Sequence, residues 1–140
     1  MNQKPGTLIK RRPTVTLLVI SLCLVAAAAA CKKNPSPTAT ARAFYQSFKD
    51  KDVEAYKRTV SKEGLKVLED RAGAMEKSLD EYIRMELNKP GITLPDKLET
   101  RNEKIEGDRA TLELKNIEGG WNTVPFVKED GQWKVSVDKL

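Results

Sequence analysis

The chain has 140 residues, 25 basic against 20 acidic, with no histidine and two cysteines. Without histidine it lacks the side chain that titrates nearest neutrality and most often ligates metals, which excludes histidine-based acid–base and metal chemistry. Four of the basic residues and none of the acidic ones lie within residues 1–30, so residues 31–140 hold 21 basic against 20 acidic side chains and offer no charge imbalance for a nucleic-acid partner.

Those four are Lys4, Lys10, Arg11 and Arg12, and an apolar run follows them to Ala30. A basic segment, a short apolar run and a small-residue exit are the three parts of a secretory signal. Thr14 to Ala30 is seventeen residues with an alanine-rich end, short of the roughly 20 that a membrane-spanning helix needs. The exit, Ala28-Ala29-Ala30-Cys31, resembles the lipobox of bacterial lipoproteins, in which small residues precede an obligatory cysteine. The resemblance implies cleavage before Cys31, a diacylglycerol on its thiol and an acyl chain on its new amine. Several acyl chains, at about 0.8 kcal/mol per buried methylene, hold a protein stably on a bilayer. Ala28 stands where the lipobox usually has leucine, and the alternatives are an ordinary signal peptide cut within Ala26–Ala30 or an uncleaved anchor. Lys32 after the cysteine is not the aspartate of an inner-membrane retention signal, so an outer membrane is favoured where there is one. With Cys23 lost in the leader and Cys31 lipidated, no thiol is left for a disulfide, a nucleophile or a metal site. The chain then divides into a signal peptide (1–30), a lipidated cysteine and tether (31–37) and one small domain (38–140).

Lys32 to Pro37, KKNPSP, is a polar, proline-bearing tether. Ser36 followed by Pro37 predicts a capped helix start, and Ala41, Phe44 and Phe48 recur at helical spacing with Tyr45 beside them. Asp50-Lys51-Asp52 breaks that pattern, and Asp52 can cap a short helix with Val53, Tyr56 and Val60 on one face. Leu65, Leu68, Ala72, Met75, Leu79 and Tyr82/Ile83 continue a helical stripe, and Ser78 with Glu81 forms a capping-box pattern. This predicts two helices, Lys62–Ala72 and Leu79–Asn88, or one long helix kinked between them. Lys89-Pro90-Gly91 closes the helical half, and Gly91 to Asp96 is a loop.

The period then changes. Gly107, Gly119 and Gly131 fall twelve residues apart in turn-like settings, the signature of an antiparallel meander. Ala110, Leu112 and Leu114 alternate with Arg109, Thr111, Glu113 and Lys115. Trp133, Val135 and Val137 alternate with Gln132, Lys134, Ser136 and Asp138. Both segments predict a one-sided apolar face. Asn122 to Lys128 puts Val124 and Phe126 on one side and Trp121, Pro125 and Val127 on the other, with Pro125 arguing for an edge or a bulge. Lys97 to Glu106 is a weaker, mostly polar strand whose clearest inward residue is Ile105.

Helices followed by a meander, each with one apolar face, predict an α+β layer in which N-terminal helices pack on a curved antiparallel sheet of about four strands. Ala43-Phe44-Tyr45, the Lys-Asp-Lys-Asp break and the ending Val127 to Val135 resemble nuclear transport factor 2-like domains. The likeness is to small bacterial lipoproteins of unknown function that share the patterns here seen at Ala43–Tyr45, Ile105–Thr111 and Phe126–Lys134, and it covers nearly all of Thr38–Leu140. The resemblance implies a cone with a pocket at its wide end, a framework used by enzymes, carriers and interaction modules alike. Phe44, Phe48, Tyr56, Tyr82, Trp121, Phe126 and Trp133 are the candidate pocket lining, although the spacing of Phe44, Tyr45, Phe48 and Tyr56 is better read as a buried core stripe and some of the seven simply fill the core.

The favoured function is a membrane-anchored envelope module, without catalytic residues, metal or cofactor, that binds a small apolar ligand or an envelope protein. An acid–base enzyme of ketosteroid-isomerase-like type would draw on Tyr45, Tyr56, Tyr82 and Asp80, but no pair of titratable groups shows a recognisable spacing. A structural part of an envelope assembly is the third reading. The outer sheet face, with Arg109, Glu113, Lys115, Gln132 and Lys134, is polar, so a monomer or weak homodimer is expected.

Overall fold

Short polar side chains start every helix of the domain. The structure, a computed structural model, describes residues 36–140; the leader, Cys31 and the tether through Pro35 lie outside the described residues. Ser36 Oγ accepts from the Ala39 N–H at 3.1 Å and Pro37 occupies the first turn of α1 (Pro37–Asp50). Lys51, in the left-handed region at φ 55°, ends it. Asp52 then accepts from the Ala55 N–H and opens α2 (Val53–Thr59), and Ser61 accepts from the Gly64 N–H and opens α3 (Lys62–Ala74). The Ser78–Glu81 capping box is formed in both directions at the start of α4 (Leu79–Leu87). Its hydrogen bonds from the Ser78 backbone and hydroxyl hold the Glu81 carboxyl below its ordinary range. The stretch that the sequence leaves open as one helix or two is therefore two, divided at Met75–Lys77 by the left-handed Glu76.

Strands β1 (Thr100–Glu106), β2 (Arg109–Lys115), β3 (Trp121–Glu129) and β4 (Gln132–Val135) form one antiparallel sheet in the order β1-β2-β3-β4. Asp130 and Gly131 join β3 to β4 with φ of 50° and 76°. This two-residue loop matches the right-handed twist of the strands, and Gly131 takes its second positive φ without steric cost. Four helices packed against a four-stranded open sheet make the α+β class predicted from the alternation.

Two apolar clusters hold these layers. On the sheet, Ala110, Leu112, Val124, Phe126, Trp133 and Val135 pack with Ala41 of α1. Among the helices, Tyr56, Val60, Leu68, Ala72, Tyr82, Ile83 and Leu87 pack together. Phe44 and Val137 border both clusters and join them. Among the described residues no helix is long and apolar enough to cross a membrane.

Two strand expectations are corrected. Ile105 faces Ala110 across the β1–β2 ladder but is 52% exposed. The first turn of α1 meets β1 through polar groups, with the Thr38 N–H and hydroxyl donating to Glu103 at 2.9 and 2.6 Å, which leaves Ile105 uncovered. Pro125 lies in an inner strand rather than at an edge or bulge, paired with Thr111 of β2. It is tolerated because its backbone polar groups point toward β4, whose register with β3 ends at Phe126 and Val135. There the Pro125 carbonyl accepts from the Ser136 N–H at 3.0 Å, and no ladder bond needs the missing proline N–H.

Candidate functional site

The alternation that turns Ala110, Leu112, Val124 and Phe126 toward α1 turns Arg109, Thr111, Pro125, Val127 and Glu129 to the opposite face. That face floors an open groove of about 500 Å³. Lys104 and Glu106 of β1 border it on one side. Ser61 and Glu63 at the start of α3, with Ser136, Asp138 and Lys139 beyond β4, border it on the other.

This second border is built from segments far apart in sequence. Val60 bridges Val135, and the Ser61 N–H donates to the Val135 carbonyl at 3.0 Å. The Lys62 N–H, exposed at the start of α3, donates to both carboxylate oxygens of Glu129 at 3.1 Å. Lys62 Nζ pairs with Asp130 at 2.9 Å, which lowers the Asp130 carboxyl pKa and raises that of the lysine. A 3-10 turn (Val137–Lys139) then lies against α3 at Gly64. A Cβ there would come within 2.7 Å of Val137 Cγ2 and 2.9 Å of Val60 Cγ1, so the close approach of turn to helix requires glycine.

The turn carries the most unusual polar group of the border. The Asp138 side chain is only 8% exposed, and its Oδ2 pairs with Lys139 Nζ at 3.1 Å. Its Oδ1 is buried and has no hydrogen-bond partner among the described residues. A buried acceptor without a donor costs about 1–3 kcal/mol, and more when charged, so the oxygen is an unmet demand for a donor. Sequence alone assigns Asp138 no such role, since it alternates with apolar residues as a solvent-facing side chain would. Gly64 in the first turn of α3, a close-approach residue inside a helix, was the available signal for the docking that encloses it.

The aromatic residues singled out from the sequence are distributed otherwise. Phe44, Phe48 and Tyr56 pack on one another with centroid separations of 5.1, 5.2 and 5.5 Å. Tyr82 belongs to the same helical cluster. Burial pushes the Tyr56 hydroxyl up to about 12, helped by Glu86 and Tyr82 and opposed by Arg71. Phe126 and Trp133 share the sheet cluster, and of the seven aromatics Phe126 alone borders the groove. Phe48 borders a second, smaller hollow of about 290 Å³ between the ends of α1 and α4. Trp121 stands apart on the open face, with the Arg101 guanidinium 4.0 Å from its ring centre. Arg101 also pairs with Glu113 at 2.5 Å, which lowers the Glu113 carboxyl pKa.

Of the groups considered for acid–base chemistry, Tyr45 and Asp80 are each engaged by another partner. The Tyr45 hydroxyl donates to the Pro95 carbonyl, tying the loop before β1 to α1. Asp80 pairs at 2.9 Å with Lys57, which also holds Glu54 at 2.8 Å. Among the described residues no group of three or more metal-ligating side chains occurs. Comparison of the chain with protein-family models, with curated proteins and with solved structures finds no match.

Proposed function

We propose that this chain is a bacterial envelope lipoprotein, anchored through Cys31, whose domain is a nuclear transport factor 2-like cone that binds a ligand without transforming it. The observation that carries the reading is the small-residue exit Ala28-Ala29-Ala30-Cys31 with a capped helix beginning at Ser36, five residues later. An acylated cysteine so close to the start of a folded domain places that domain at the membrane surface, with little freedom to leave it. The order of helices followed by a meander supports the cone. A groove of about 500 Å³ supports binding, because it falls in the size range of small-molecule sites, roughly 300–1,000 Å³. The partners of the reading are the membrane, through the anchor, and a small ligand or envelope protein at the groove, with the chain a monomer or weak homodimer.

Growth of the native bacterium on labelled palmitate tests the anchor. The wild-type protein is expected to carry label and to fractionate with membranes, and Cys31→Ala is expected to lose both. An unlabelled wild type, or a Cys31→Ala protein that stays in the membrane fraction, overturns it.

A further inference from the structure

We infer that the open-face groove takes a small zwitterion, with an ammonium and a carboxylate on an apolar body of amino-acid to dipeptide size, and that Asp138 receives the ammonium. The inference rests on the reading of this domain as a binding module and names the ligand class. Two observations meet at Asp138. Its side chain is more than nine-tenths buried at the groove border, and Oδ1 has no donor among the described residues. An ionised carboxylate only accepts hydrogen bonds, and an ammonium brings three donors. The molecule also shows what suits this position, because Lys139 Nζ already lies 3.1 Å from Oδ2 with its side chain 71% exposed. A pair with one member so exposed contributes little, so an incoming ammonium displaces Lys139 at small cost. Lys139 is tied to the adjacent residue and leaves the buried Oδ1 without a donor among the described residues. A free ligand is not so constrained: it takes the place of Lys139 at Oδ2 and meets Oδ1 as the carboxylate turns toward the groove.

The opposite border and the floor beside it supply the complementary charge. Lys104 and Arg109 line the groove, and among the described residues neither is in an ion pair. Lys104 faces Thr111, Thr111 faces Pro125, and Pro125 is bonded to Ser136, so the groove crosses the sheet from β1 to the segment holding Asp138. Strands are about 4.8 Å apart, which puts the backbones of the two borders roughly 10–15 Å from each other. Long basic side chains shorten that span toward a dipeptide, at about 3.5 Å per residue. Pro125 and Val127 supply the apolar floor. Glu63, Glu106 and Glu129 also line the groove, which disfavours a purely anionic ligand.

The test is an amide-resonance titration of the full chain in detergent micelles with alanyl-phenylalanine. Parallel titrations use its N-acetylated form, its C-terminal amide and the doubly blocked, neutral peptide. The free dipeptide is expected to move the resonances of Thr111, Val127, Ser136 and Asp138. N-acetylation, or Asp138→Asn with its spectrum otherwise unchanged, is expected to weaken binding about tenfold or more, the loss of a charge-assisted hydrogen bond. Lys139→Ala is expected to tighten it by removing the competing ammonium. Equal affinity of free and N-acetylated peptides, or of wild type and Asp138→Asn, overturns the inference. If the doubly blocked peptide moves the same resonances as strongly, only the charge assignment falls and the groove remains a binding site. If no probe moves them, the binding reading falls with it.

Discussion

The two faces of the sheet share one backbone and differ in almost everything else. On the covered face, Ala110, Leu112, Val124, Phe126, Trp133 and Val135 are buried beneath the helical layer. On the open face, Arg109, Thr111, Pro125, Val127 and Glu129 line a groove and keep contact with solvent. A single register fixes both sets, since neighbouring residues of a strand point to opposite sides. The covered face does the stabilising. The border of the open-face groove is therefore free to hold, at Asp138, a buried carboxylate oxygen without a partner among the described residues, a cost that the apolar layer absorbs.

The largest expected effect tests that division directly. Leu112 is 1% exposed, and Leu112→Ala should lower stability by about 2–5 kcal/mol through lost transfer energy and the cavity left behind. Thr111→Ala, one residue away on the open face, should change it by no more than about 0.5 kcal/mol. Urea denaturation of both variants measures the contrast, and similar losses would remove the distinction between the faces. A second contrast lies in pH dependence. Tyr56, buried with the covered side, has its pKa raised to about 12, so the folded state holds this proton more tightly than the unfolded chain does. Its contribution is complete below pH 10 and is lost as pH rises through about 12. A shift of this size amounts to roughly 2–3 kcal/mol. Tyr56→Phe should lack that alkaline fall, whatever its effect on stability at neutral pH. On the open face and in the β3–β4 loop the signs reverse. Glu113 and Asp130 have lowered pKa values, so their contribution is present above the ordinary carboxylate range and fades as pH falls through the lowered values. Because water screens both pairs, the acid slope should be shallow and should flatten further in salt.

The covered face was largely legible in the sequence, and so was the polar character of the open face, but its groove was not. Ser36, Asp52, Ser61 and Ser78 are local instructions, each bonding a backbone N–H three residues on, and three of the four could be read directly as caps. The alternation of Ala110, Leu112 and Leu114 likewise gives β2 its inward side without reference to the rest of the chain. Ile105 shows where that logic stops. Alternation says which way a side chain points, but not how far the helical layer extends, and where α1 meets β1 it does so through polar groups such as Thr38 and Glu103. The aromatic stripe identified packing partners such as Phe44, Phe48 and Tyr56, but spacing does not distinguish a filled core from a lined cavity. Asp138 was hidden for a different reason. Its burial depends on the turn after β4 docking against Gly64 and Val60, a long-range event that no window around Asp138 encodes.

The smallest effect separates order from stability on the open face. Arg101 lies between Trp121 and Glu113, close enough to stack on one and pair with the other. Such contacts fix geometry well and stabilise little, because solvent competes for the guanidinium at every step. Arg101→Ala should cost only about 0.5–1 kcal/mol, the usual size of a cation–π contact at an exposed site. It should nevertheless return the Glu113 carboxyl toward its ordinary pKa and alter the emission of Trp121, since the charge holding one and shielding the other is gone. Titration of the Glu113 side-chain carbon by NMR and tryptophan fluorescence read these changes independently of unfolding. A large loss of stability would mean that the open face carries structural weight like its counterpart. A small loss with a clear Glu113 shift would show a face ordered by charge and held up by the apolar layer behind it.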